Sequence, residues 1–398
     1  MRLARSIKTA LVVFASFGVS LANIPVLGYV TPWNPRGKQL VDDFRKKFDI
    51  VSPVWYAVAP DPNPAKVYKV DGGPSAGGDV DWYRRLQEPK PRPVLVTPRF
   101  ILDGWGQDDY TNLIFNQTRA KLLAKAIWHV VDAMSYDGIV FESAATHALA
   151  GALTPLSILL HAKEKILTLV MPPVRPETAV VLKAVPLLAS ITDYFNIMTY
   201  DMTGTDGQRS SDMFPDRSPL QSAKGHGQLR IPGPNTGLDW IQDNLKAFSK
   251  ATEGAQPFDM LGQFQFAQEI SSKFLMGLPL YGYTYPVMFG SLKTGKIIPE
   301  KSTPKDTAVL LRASGKPITA VEIEAVLEAH GSSVQKDPNG EYFIDYSEDD
   351  GHWRAYIPTA KSTSATIKSL NKLAAKSTPV GIALWEVGQA SKELLEAL

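Results

Sequence analysis

Short apolar runs and longer amphipathic stretches alternate along this chain. Runs of strand length occur at 26–31, 50–58, 94–97, from Gly138 onward, and at 166–171, 194–200, 274–280 and 380–386. Between them lie segments with helical spacing. In 37–48, Leu40, Phe44 and Phe48 recur four apart; in 116–134, Leu122, Leu123, Ala126, Ile127 and Val130 share one face. Further helices are expected at 156–163, 177–189, 238–249 and 362–375, with a short one around Tyr83. Eight strands alternating with helices predict an α/β fold, a (β/α)8 TIM barrel. The stretch from about 290 to 360 departs from that rhythm. A helix at 320–330 and a hairpin of 341–346 with 352–357 predict a small α+β insertion between strands 7 and 8. A doubly wound open sheet is the competing architecture, but no Gly-x-Gly-x-x-Gly turn follows the first strand and Pro32-Trp33 is no phosphate cradle. Two stretches read as loops: the Pro/Gly-rich 60–79, and 204–237, which is long enough to be a binding lid or a disordered segment.

Composition narrows the function. The chain has 398 residues, is 44% hydrophobic and 21% charged, and carries a net charge of +2 with no run of Lys/Arg interleaved with aromatics. Nucleic acid and anionic membrane are therefore not expected partners. With no cysteine there is no disulfide framework, thiolate nucleophile or Cys-bound zinc. Arg2, Arg5 and Lys8 precede the apolar run 9–21, and Ser20-Leu21-Ala22 supplies small residues for cleavage. Residues 1–22 thus read as a signal peptide and 23–398 as the barrel, which predicts a secreted protein or one in the lumen of the secretory/lysosomal pathway. The last six residues carry no retention signal. The six histidines show no ligand spacing and no Gly-x-Ser-x-Gly occurs, so neither a metal nor a cofactor is expected. Asn116-Gln117-Thr118 is either a glycosylation acceptor or a helix cap.

The candidate chemistry centres on residues 135–144. On a strand, Gly138, Val140, Glu142 and Ala144 share one face, and Ile139, Phe141 and Ser143 the other. An acid at the carboxyl end of a barrel strand stands where such folds keep their functional groups, although a Glu at a strand edge can equally be paired with a Lys or Arg. The other strand ends are aromatic: Tyr29 and Trp33, Trp55 and Tyr56, Trp105, Tyr200 with Asp201, Tyr281, and Trp385 with Glu386. Singly each serves as readily in a core or rim; gathered at one face they suit carbohydrate, whose C–H faces stack on rings while polar groups take the hydroxyls.

These residues resemble family 18 glycoside hydrolases, the chitinases and chitinase-like lectins. Tyr29-Val30-Thr31-Pro32-Trp33 is similar to the family's first strand, Ile197-Met198-Thr199-Tyr200-Asp201 to its sixth, Gly277-Leu278-Pro279-Leu280-Tyr281-Gly282 to its seventh and Gly381-Ile382-Ala383-Leu384-Trp385-Glu386 to its eighth. The resemblance implies a sugar site built from Tyr29, Trp33, Trp55, Glu142, Met198, Tyr200, Asp201 and Trp385, with Tyr200 and Asp201 orienting an acetamido group. Active members carry Asp-Gly-x-Asp-x-Asp-x-Glu on strand four. Aligned on Asp137-Gly138, this chain puts Val140, Glu142 and Ala144 at the inward positions, so Ala144 occupies the general acid's place. Three readings follow. The barrel binds chitooligosaccharide or a related glycan without hydrolysis, with Glu142 a buried hydrogen-bonding acid; or it is an active glycosidase in which Glu142 is the catalytic acid; or its pocket is vestigial and its surface binds a protein receptor.

Overall fold

The structure is a computed structural model that describes residues 24–61, 67–207, 231–252, 273–291, 307–330, 334–337, 340–374 and 380–398. The expected leader and most of the long loop at 204–237 lie outside the described residues. The first sheet is built from β1 (Val26–Val30), β2 (Ile50–Pro53), β3 (Tyr56–Pro60), β4 (Tyr68–Gly72), β5 (Leu95–Val96), β6 (Arg99–Leu102), β7 (Gly138–Glu142), β8 (Ile166–Met171), β9 (Tyr194–Ile197) and β10 (Lys273–Pro279). A second sheet follows, made of β11 (Tyr281–Ser291), β12 (Thr307–Leu311), β13 (Lys316–Thr319), β14 (Gln335–Lys336), β15 (Tyr342–Glu348) and β16 (Gly351–Ile357); β17 (Val380–Trp385) then returns to the first.

β2 with β3, and β5 with β6, are two halves of single barrel strands. β2 pairs β1 and β5, β3 pairs β6, and β6, β7, β8, β9, β10, β17 and β1 follow in parallel, so eight strands close on themselves. The expected (β/α)8 fold is what the chain adopts. The α-helices among the described residues are α1 (Arg36–Asp43), α2 (Ala76–Gln87), α3 (Gln107–Phe115), α4 (Gln117–Met134), α5 (Ala150–His161), α6 (Val181–Ala189), α7 (Leu238–Thr252), α8 (Ala320–His330), α9 (Ala360–Ala374) and α10 (Lys392–Glu396).

Period-2 alternation sorts the barrel residues. Ile139, Phe141, Leu169, Phe195, Phe274 and Leu384 point outward and pack against helix residues such as Leu123, Ile127, Leu156 and Leu245. Leu27, Tyr29, Ile50, Val54, Val140, Val170, Leu275 and Ala383 form a separate cluster inside the barrel. α4 starts at its N-cap Asn116, whose Oδ1 accepts from the backbone N–H of Thr118 and Arg119 at 3.0 and 3.2 Å.

Four details differ from the sequence-based expectation. The loop expected at 60–79 contains β4, which runs antiparallel on β3 as a hairpin arm. Strand three continues past Pro98 into β6, where the run had been expected to stop at Thr97. The α+β insertion begins at Tyr281 rather than near 290, with only Leu280 separating it from β10. Strand two carries a bulge. Val51 pairs Val96 and Tyr56 pairs Phe100, so five steps on one strand face four on the other. The extra residue breaks the alternation and turns Trp55 and Tyr56 both to the outer side.

The outer layer is aromatic there. Phe100 is fully buried and its ring stacks on Tyr56 with centroids 4.5 Å apart. Phe100→Ala should cost about 3–5 kcal/mol through lost packing and the cavity left behind. A guanidinium unfolding midpoint that did not fall would remove this ring from the core.

Candidate functional site

The site lies at the carboxyl ends of the barrel strands. Its floor is Tyr29, buried on β1, with Trp385 against it edge-to-face at 5.3 Å. Asn196 of β9 reaches across the barrel and donates Nδ2–H to the Tyr29 hydroxyl. Met198 and Trp385 pack on the same inner cluster. Trp385 also contacts the tyrosine cluster of the second sheet, so the two sheets meet at this indole.

β7 ends at Glu142. Its Oε2 accepts from Nη1 of Arg99 at 2.9 Å, forming an ion pair in which both side chains are largely withdrawn from water. The sequence had left open whether Glu142 was catalytic or paired with a cation; Arg99 is that cation. Ala144 does not take the third inward position that strand alternation assigned to it. The strand has already ended, and Ala144 sits exposed in the turn that follows. Ser143 points to the other side, donating to the Tyr110 hydroxyl at 3.2 Å.

Asp201 follows β9 with a left-handed backbone, φ 56°. Such a conformation strains an L residue, less for Asp than for most. Four hydrogen bonds hold it. Tyr281 and Tyr283 both donate to Oδ1 at 2.6 Å, Asp201 N–H donates to Asn235 Oδ1 at 2.7 Å, and Arg175 Nη2 donates to the Asp201 carbonyl at 2.7 Å. Tyr200 beside it has space because strand seven carries glycine opposite: a Cβ on Gly277 would come within 2.9 Å of the Tyr200 ring and 2.7 Å of the Ile197 carbonyl.

Burial pushes the Tyr29 hydroxyl above the ordinary tyrosine range, and the negative charge of Glu142 adds to it. Tyr200 is raised in the same way, first by burial and then by Tyr29, Glu142 and Asp201. Tyr281 and Tyr283 are raised by burial and by Asp201. All four stay protonated through the neutral range, and Tyr281 and Tyr283 donate to Asp201.

At the rim, Trp33 is 63% exposed and its Nε1–H points to Glu386 Oε2 at 3.4 Å. Glu386 is buried and also accepts from Thr31 and from Gln389. Trp55 is not brought to this mouth. The bulge turns it outward, where it packs edge-on against Trp82 and Tyr83 and beside Tyr136. Of the expected residues the structure therefore gathers Tyr29, Glu142, Met198, Tyr200, Asp201 and Trp385, with Trp33 at the edge.

Arg99, Asn196, Arg175 and Tyr283 are site residues not singled out from the sequence, and Asn235 stands out there only within the Gly233-Pro234-Asn235 motif. Two signals were present: an arginine between apolar positions of one strand, and the alternation Tyr281-x-Tyr283-x-Tyr285. Rings, hydroxyls and hydrogen-bond-accepting carboxylates gathered at one mouth suit a polyhydroxylated ligand.

Solved structures with the same architecture were found at low sequence identity. A chitinase from Chromobacterium violaceum superposes with a TM-score of 0.64 at 16% identity, covering 94% of this chain and 97% of that one. The class V chitinase from Nicotiana tobaccum gives 0.63 at 12% identity, covering 94% and 99%. The spore cortex-lytic enzyme SleL of Bacillus megaterium gives 0.62 at 16% identity, covering 94% and 73%. At these identities the likeness shows the fold. Residues 99–390, well over half of the chain, match the sequence profile of Glycosyl hydrolases family 18, and the chain belongs to that family.

Proposed function

We propose that this protein binds chitooligosaccharide or a related glycan at the barrel mouth and does not hydrolyse it. The observation that carries this reading is the Arg99–Glu142 contact at 2.9 Å. A general acid must present a proton to the leaving oxygen. Glu142 is the one acid that strand four supplies here, and its carboxylate is engaged as an acceptor for a guanidinium. The position that the family resemblance assigns to the acid is Ala144, which has no proton to give. The family resemblance implies that the substrate's acetamide is the nucleophile, so no second protein nucleophile is expected to rescue the reaction. The binding elements remain: the Trp385 and Tyr29 rings, the Tyr200 hydroxyl and the fixed Asp201 carboxylate.

Within the family, Val30-Thr31-Pro32-Trp33-Asn34, Ser52-Pro53-Val54-Trp55, Gly233-Pro234-Asn235 and Tyr356-Ile357-Pro358-Thr359 support kinship with chitinase domain-containing protein 1. The basic, apolar leader at 1–22 supports secretion or residence in the lumen of the secretory/lysosomal pathway. No feature among the described residues favours a protein receptor over a glycan as the partner.

The purified protein, mixed with N-acetylglucosamine oligomers, should give saturable heat of binding and no shortened oligomers by mass spectrometry. Products that disappear in Glu142→Gln would overturn the non-hydrolytic reading. Trp385→Ala should weaken oligomer binding by about 1 kcal/mol or more, the scale of one lost aromatic contact. Unchanged affinity would move the site away from this mouth.

A further inference from the structure

Outside the sugar site, the surface between α3 and α4 carries a motif that the proposed function does not use. Asn116-Gln117-Thr118 is the only Asn-x-Ser/Thr sequence in the 398 residues in which x is not Pro. All three residues are exposed. We propose that Asn116 is a modification site that carries an N-linked oligosaccharide.

The local geometry leaves the reactive atom free. Asn116 is the N-cap of an 18-residue helix and has an extended backbone, φ −125° and ψ 100°. Its Oδ1 is occupied, accepting from Thr118 N and Arg119 N. Among the described residues no hydrogen bond is made by Nδ2, and Asn116 is exposed. The cap and the modification are therefore compatible. An N-glycosidic carboxamide keeps its carbonyl oxygen, so both capping bonds survive.

In the transfer, Nδ2 attacks C1 of the first sugar of a lipid-pyrophosphate-linked oligosaccharide, the co-substrate of an oligosaccharyltransferase. The C1–N bond forms, the C1–O bond to pyrophosphate breaks and carries its electron pair to the lipid pyrophosphate, and Nδ2 gives up one proton to a base of the transferase. Nothing is oxidised or reduced.

A second observation points to the same place. Phe115, immediately before Asn116, is 83% exposed, more than any other large apolar side chain among the described residues. A sugar attached at Nδ2 can lay its C–H face on this ring, an arrangement that aromatic side chains favour. The first sugar on Nδ2 begins one residue away. The proposal rests on passage of the chain through the secretory route, and it is independent of whether the barrel mouth binds glycan.

The test is expression of the full chain, with its own leader, in eukaryotic cells, followed by peptide N-glycosidase treatment. The expected result is a single downward gel shift, with aspartate found at position 116 by peptide mass spectrometry. Asn116→Asp, which keeps a capping oxygen, and Thr118→Ala should each migrate at the deglycosylated position with an unchanged near-ultraviolet circular dichroism spectrum. A wild-type chain insensitive to the enzyme, whether in the medium or inside the cell, overturns the proposal. So does a shift that persists in both variants.

Discussion

Charge inside a barrel mouth has to be balanced, and the Arg99–Glu142 pair does this for the site. The two residues arise on neighbouring strands, with Arg99 registered opposite Val140 and Ile101 opposite Glu142, so the long arginine side chain reaches up to the carboxylate. Removing either partner would leave the other charge poorly solvated, a penalty that exceeds the value of an exposed pair. The consequence extends to the tyrosines. Burial raises the Tyr29 and Tyr200 hydroxyls above the ordinary tyrosine range; Glu142 adds to the rise and Arg99 opposes it. A mouth of aromatic rings, neutral hydroxyls and carboxylates that already accept hydrogen bonds is suited to a polyhydroxylated ligand.

Much of the barrel was legible because parallel strands write long apolar runs and their helices write a 3.6-residue stripe. The runs at 166–171 and 380–386 emerge almost unchanged as β8 and β17. The failures have local causes. Pro98 interrupts strand three without ending it, which hid β6 and with it Arg99. The bulge between Val51 and Tyr56 leaves no mark in the apolar pattern, yet it decides that Trp55 faces the helices. Asn196 stood unremarked between Phe195 and Ile197, although one polar position in a buried strand has to find a partner, here Tyr29. Ala144 was counted along an ideal strand, and the strand ends two residues earlier. On the site itself, the strand-end aromatics were readable as types, and only the fold could say which of them converge.

The arrangement around Asp201 shows why the insertion belongs to the site and is not an appendage to it. Two of the four hydrogen bonds that hold this strained residue come from tyrosines on β11, the strand that leaves the barrel directly after β10. A third comes from Asn235, whose amide also donates to the Tyr281 carbonyl and so ties the loop after strand six to the same strand. Trp385 then packs on both the barrel interior and the tyrosines of the second sheet. Recognition of a ligand here depends on a surface fixed by both sheets, made of many contacts of modest individual strength. Acid catalysis depends on one proton at one place on strand four. The two requirements fall on different elements: the mouth is shaped by both sheets, whereas the carboxylate that strand four supplies, Glu142, is paired with Arg99.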